Sequence, residues 1–258
     1  MILDKIVENT KNQVARRKSK VPRLAIRQAA ESISEHRANF CNTLKQPGIN
    51  IIAEVKKASP SKGVLCHEFD PVSIAREYAK GGAAALSVLT DESFFQGHLN
   101  FLDDIAAHVD KPLLRKDFVI DEYQIYEARL HRASAVLLLA VLLDSVQLSE
   151  FLVLSGSLGL DALVEVHNDQ ELEKVLQTNA MIIGVNNRDL ATFTLSLQTS
   201  LELAQKIPDD KLKVSESGIN TSEDIKLLRA AGFHAFLIGE SLMKQADRIT
   251  ALRALRGA

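Results

Sequence analysis

A chain of 258 residues with 31 lysines and arginines against 33 aspartates and glutamates has room for one large domain or two small ones. Its net charge of −2 gives it neither the global basic field of a nucleic-acid binder nor the acidic excess of a disordered tail. Hydrophobic residues make up 46% of it, enough for a sizeable core.

The longest apolar run, 135–143, falls short of the roughly 20 residues that a membrane helix needs. The two cysteines, Cys41 and Cys66, form no C-x-x-C pair, and the seven histidines show no H-x-H or H-x-x-x-H spacing. The first residues lack an apolar signal segment, and Asp4 and Glu8 argue against a transit peptide. These features predict a cytoplasmic protein in a reducing compartment, with no metal, no nucleic acid and no membrane among its partners.

Residues 1–47 read as a helical extension. Ile2, Leu3, Ile6, Val7 and Val14 form the apolar stripe of a first helix, and the basic run Arg16–Lys20 ahead of Pro22 marks its solvated end. Leu24 to Ile33 form a second helix. The pattern that follows is complete without this segment, so the extension is expected to serve a site more than the stability of the rest.

Residues 51–56 (IIAEVK) are a short apolar strand that ends in charge. The two-residue period of a strand aims Glu54 and Lys56 at one spot, and Ser59, Pro60, Ser61 and Gly63 then turn the chain into a polar loop. Seven further runs follow, at 84–89, 112–116, 134–140, 161–166, 181–186, 211–215 and 234–238. Helical segments separate them. Asp70 before Pro71 is an N-cap signal, and Gly81 ends that helix. Asp121 with Gln124, Asn168 with Glu171 and Thr221 with Asp224 resemble capping boxes, while Gly156 and Gly232 stand at expected helix stops. Eight strands joined by helical crossovers close a parallel barrel. An open dinucleotide-binding sheet would lead from its first strand into G-x-G-x-x-G, which is absent. The predicted fold is α/β, a (β/α)8 TIM barrel spanning 1–258 as a single domain with 1–47 as its N-terminal helical extension.

In such barrels the site forms where the strands end. Here the ends carry Glu54 and Lys56, Lys116, Glu165, Asn186 with Arg188 beyond it, and Glu216 with Ser217. Charges facing a barrel interior are costly unless paired or used, and so many at one rim point to catalysis. Gly218 after the seventh strand and Gly239-Glu240-Ser241 after the eighth let a phosphate approach backbone N–H groups. The expected partner is a small phosphorylated molecule.

The segments E-V-K-K-A-S-P-S-K-G (54–63), L-R-K-D-F (114–118), L-V-E-V (163–166), G-V-N-N-R-D-L (184–190), S-E-S-G-I (215–219) and L-I-G-E-S-L-M (237–243) closely resemble the indole-3-glycerol phosphate synthase family in order and spacing. The resemblance implies a cofactor-free barrel enzyme of tryptophan biosynthesis. Its reaction is ring closure, decarboxylation and dehydration of 1-(2-carboxyphenylamino)-1-deoxyribulose 5-phosphate.

By the same resemblance, Lys116 is the general acid at the ketone, Glu165 assists the later proton transfers, and Glu54 and Asn186 orient these groups. Lys56 holds the anthranilate carboxylate, Glu216 and Ser217 support the site, and Ser59, Gly218, Gly239, Glu240 and Ser241 hold the phosphate. Two positions depart from the family pattern: Glu240, where many relatives have a small residue, and Arg132-Ala133-Ser134, where glycine-alanine-aspartate is frequent. The alternatives are a Schiff-base aldolase using Lys116 or Lys56 and a catalytically silent ligand-binding barrel. A monomer or weak homo-oligomer is expected.

Overall fold

The computed structural model describes residues 2–34, 38–189 and 192–257. Leu190, the last residue of the G-V-N-N-R-D-L motif, lies outside the described residues. Eight parallel strands form: β1 (Asn50–Val55), β2 (Ala85–Leu89), β3 (Leu113–Lys116), β4 (Ala135–Leu139), β5 (Asp161–Val166), β6 (Ile182–Asn186), β7 (Leu212–Glu216) and β8 (Ala235–Ile238). They close into a barrel in the order β1-β8-β7-β6-β5-β4-β3-β2. Each begins and ends within one residue of its sequence run, because both faces of these strands are buried and the runs are nearly continuous apolar stretches.

The strand period divides the apolar residues between two cores. Ile51, Ala53 and Val55 pack outward beneath the helices, whereas Ile52, Leu114, Leu163, Val214 and Leu237 point into the lumen. One period further along, the same strands deliver Glu54, Lys116, Glu165, Glu216 and Gly239. The charged layer is therefore a continuation of the apolar filling.

The helix stops and caps are mostly where the sequence puts them. Asp70 caps the helix Pro71–Gly81, and Thr221 and Asp224 form a reciprocal capping box. Asn168 accepts from the Glu171 N–H. Gln124 does not complete a box with Asp121. Its side chain bonds the Ile120 N–H at 2.9 Å and the Phe118 carbonyl at 3.0 Å, fixing the loop after β3. Gly156 lies inside the helix Ser145–Ser157, which stops instead at Gly159, whose φ of 70° supplies the left-handed turn. Arg132 adopts φ 62°, a left-handed conformation that glycine favours.

The extension differs most from expectation. Besides α1 (Ile2–Lys20) and α2 (Arg23–Glu31) it contains α3 (Phe40–Leu44), too short for a periodic signal. Phe40 and Leu44 are fully buried in the lumen core, at the end from which the strands start. The Asn50 side chain donates to the Leu44 carbonyl at 3.0 Å and the Gln46 carbonyl at 2.9 Å. The extension is thus part of the barrel's filling.

The basic end of α1 is docked as well. Arg17 Nη1 lies 2.9 Å from Glu127 Oε2 and Lys18 Nζ 2.6 Å from Asp121 Oδ2, although Arg16 and Lys20 remain solvated. Glu127 Oε2 is also 3.2 Å from Nη1 of Arg115, a fully buried guanidinium whose Nη2 lies 2.9 Å from Asp117 Oδ2.

Replacing Arg115 with alanine leaves Glu127 and Asp117 buried without their shared cation and should destabilise the fold by about 3–5 kcal/mol, read as a lowered denaturation midpoint. Arg132→Gly should instead stabilise by about 0.5–1 kcal/mol, since only the left-handed strain is removed. Deletion of residues 1–47 should give an unfolded product by circular dichroism. A folded, cooperative truncation would show that the α3 plug is dispensable.

Candidate functional site

A cavity of about 290 Å3 opens at the C-terminal ends of the strands, and all thirteen residues singled out from the sequence line it. Glu54 and Lys56 form an ion pair at the end of β1. Across the lumen, Lys116 Nζ lies 3.0 Å from Glu165 Oε2 and 3.6 Å from Glu216 Oε2. Asn186 donates its side-chain N–H to Glu165 Oε1 at 3.0 Å and accepts the Arg188 N–H at 3.0 Å.

Three buried carboxylates therefore face two lysines, and burial alone would neutralise most of them. The outcome is set by contacts. Burial pulls the Lys116 ammonium down, but Glu165, Glu216 and Glu54 outweigh it and hold the group above the ordinary lysine value. Burial pushes the Glu165 carboxyl up, and Lys116, His167 and Asn186 together hold it well below the usual carboxylate range. Glu216 goes the other way. Neither of its oxygens finds a hydrogen-bond partner among the described residues, and burial followed by the Glu165 charge pushes it up to about 8. The site thus presents one ionised and one largely neutral acid on either side of a charged lysine.

Two glycines make this layer possible. A Cβ on Gly184 would stand 2.2 Å from Glu216 Oε1, and one on Gly239 would stand 2.3 Å from Glu54 Oε1. Gly239 therefore makes room for a carboxylate as well as offering its backbone at the rim.

At the rim, Ser217 and Gly218 take φ of 66° and 77°, and Asn187 anchors the Ser217 carbonyl at 3.0 Å. Gly239 precedes the short helix Glu240–Met243, whose first N–H groups have no intrahelical partner. The Glu240 carboxylate lies 3.1 Å from Arg188 Nη2 and 2.6 Å from Lys244 Nζ. Burial raises its pKa, but Lys244 and Arg188 prevail and lower it. Ser241 donates to the Ile219 carbonyl at 3.1 Å, and Ser59 lies in a two-residue hairpin with Gly63. The cavity also has an apolar lining: Ile2, Leu3 and Ile6 of α1, with Leu89, Phe95 and Phe118. Among the described residues no group of three or more His, Cys, Asp or Glu side chains converges as a metal site.

Sequence reasoning missed Lys244 and His167. His167 was legible in principle, being one strand period beyond Glu165 in Glu165-Val166-His167. Lys244 lies four residues after Glu240, one helical turn away.

The chain matches the family model described as indole-3-glycerol phosphate synthase over residues 3–255. It is 44% identical to the indole-3-glycerol phosphate synthase of Lachnoclostridium phytofermentans over 268 residues, covering 99% of each chain. To that of Alkaliphilus metalliredigens it is 47% identical over 256 residues, covering 99% of this chain and 98% of the relative. Among solved structures, 3-hexulose-6-phosphate synthase from Salmonella typhimurium aligns with a TM-score of 0.66 over 81% of this chain and 97% of that one. At 12% identity, that likeness concerns the barrel fold alone. With the family model matched nearly end to end and two relatives at this level of identity, the chain belongs to the indole-3-glycerol phosphate synthase family.

Proposed function

We propose that the protein is a carboxy-lyase of tryptophan biosynthesis that converts 1-(2-carboxyphenylamino)-1-deoxyribulose 5-phosphate into indole-3-glycerol phosphate, carbon dioxide and water. The observation that carries the mechanistic reading is Lys116 held as an ammonium between Glu165 and Glu216 at the floor of the cavity. In this reading Lys116 protonates the ketone oxygen as the aromatic carbon bearing the carboxylate attacks the ketone carbon. Closure creates an iminium that accepts the electron pair released with carbon dioxide, so the substrate provides its own electron sink. Glu165 serves the later proton transfers that restore aromaticity and expel water.

The other residues bind and orient. Lys56, turned inward by its pair with Glu54, takes the anthranilate carboxylate, and the apolar wall of Phe95, Phe118 and Leu89 takes the ring. Asn186 holds Glu165 in line, and Ser217 with a neutral Glu216 faces the substrate hydroxyls. Backbone at Gly218, Gly239, Glu240 and Ser241, with Ser59 opposite, cradles the phosphate, while Arg188 and Lys244 turn the Glu240 carboxylate aside. The reading also takes residues 1–258 as one domain, cytoplasmic and monomeric or weakly self-associating. Two free cysteines fit a reducing compartment, and among the described residues no helix is long and apolar enough to cross a membrane.

The Schiff-base alternative needs a neutral Lys116, and the surrounding carboxylates oppose that. Lys116→Met should lower kcat by about 10²–10⁴-fold with a much smaller change in KM. Substrate with borohydride should leave the wild-type chain unmodified. A reduced adduct on Lys116, seen by mass spectrometry, would sink the acid assignment.

Glu216 predicts an alkaline limit. Its native pKa of about 8 lies above the ordinary carboxyl value, so the folded protein keeps the proton below pH 8 and loses it above. The added charge faces a substrate with a carboxylate and a phosphate, so kcat/KM should fall above pH 8. Glu216→Gln should flatten that limb, and a limb that persists unchanged would assign it to another group.

A further inference from the structure

His167 is a buried titratable group to which the reaction scheme gives no task. It follows Glu165 by two residues, so the period that aims Glu165 into the lumen places the imidazole on the same side, just past the end of β5. Its side chain is 9% exposed. Nε2 lies 3.2 Å from Glu165 Oε1 and Nδ1 3.0 Å from Glu171 Oε2.

Glu171, in the first turn of the helix Asp169–Leu176, is itself fixed. Its Oε2 accepts the His167 N–H at 2.9 Å and its Oε1 the Asn168 amide at 2.9 Å. The ring therefore bridges two carboxylates. An ionised carboxylate only accepts hydrogen bonds, and a neutral imidazole has one N–H and one lone pair. Neutral His167 would set a lone pair against one carboxylate; an imidazolium suits both. The contact to Glu165 lies off the hydrogen-bond direction, so it acts through charge.

We propose that His167 is an imidazolium at neutral pH and a positioning residue for Glu165, holding that carboxylate ionised and in place at the moment Lys116 gives up its proton. This rests on the reading of Glu165 as the group that serves the later proton transfers. Glu165 has two cationic neighbours, and one of them, Lys116, is a proton donor in the reaction. When Lys116 is discharged, His167 is the neighbouring cation that still opposes the capture of a proton by Glu165 before its own step, with the Asn186 amide beside it. The charged groups on the ring are Glu165 from β5 and Glu171 from the following helix. Behind Glu165 stand Lys116 from β3 and Glu216 from β7, with the Asn186 amide from β6. Burial lowers the imidazole pKa, but Glu165 and Glu171 override it and raise the group to about 10.

The first measurement is an NMR titration of 15N-histidine-labelled protein, with His167 identified by its loss in His167→Gln. The ring should remain doubly protonated through pH 8; a neutral ring at pH 8 would overturn the proposal. The second is the pH profile of kcat. Removing a cation beside Glu165 raises that carboxyl's pKa, so in His167→Gln the acid limb should move to higher pH by about one unit or more. The same variant should lose about 10-fold or more in kcat while KM changes far less.

A variant that loses kcat with its acid limb unmoved would reduce His167 to a structural role and overturn the proposal. Should His167→Gln fail to fold, Glu171→Gln, which releases the far end of the bridge, should shift the limb in the same direction, and an unshifted limb there would count equally against it. Glu165→Gln separates the layers. Wild-type turnover in that variant would remove the reading of Glu165 and the positioning role with it, whereas the NMR titration tests the charge of His167 independently of either.

Discussion

Placing an ammonium in a closed barrel is the constraint around which the rest of this structure is arranged. Lys116 continues an apolar row by one strand period, and water does not solvate it well there. Its charge is held because the Glu165 and Glu54 carboxylates converge from other strands, and Glu216 adds to them once it ionises. The carboxylates are in turn tolerable because they do not share one protonation state. Glu165 is kept ionised by Lys116, His167 and Asn186, and Glu216, lacking hydrogen-bond partners among the described residues, retains its proton to about pH 8. Two acids of the same type are thereby separated in function by what touches them.

The glycines of this layer show what the arrangement requires of the backbone. Gly184 and Gly239 stand where any Cβ would collide with Glu216 and Glu54. A glycine within a strand normally weakens it, so at Gly184 the strand gives up packing to admit a carboxylate, and Gly239 does the same just past the end of β8. At Arg132, by contrast, an exposed position carries a side chain in the left-handed conformation.

The extension serves both ends of the barrel. α3 fills the lumen from below with Phe40 and Leu44, and α1 brings Ile2, Leu3 and Ile6 to the apolar wall of the cavity. The connection between α1 and the site is ionic, half-buried at Arg17 and fully buried at Arg115. Arg17 meets Glu127, Glu127 meets Arg115, and Arg115 meets Asp117, so the residues flanking Lys116 in sequence also anchor the helix that covers the mouth. Movement of α1 would therefore be felt at the strand that carries the lysine.

The sequence by itself determined the barrel, because eight buried strands leave apolar runs that helix caps punctuate. It also placed the charged rim, since a period of two says which residues share a face. It could not say which charge meets which. Glu165 and Lys116 are neighbours only because β3 and β5 stand around one lumen, and the neutrality of Glu216 follows from that crowding. The α3 plug was hidden by its length of five residues. The docking of Arg17 and Lys18 was hidden because their partners, Glu127 and Asp121, lie 110 and 103 residues away. Periodicity reports the side of an element; what fills the space on that side is decided when the chain closes on itself, and with it the protonation state of every buried group.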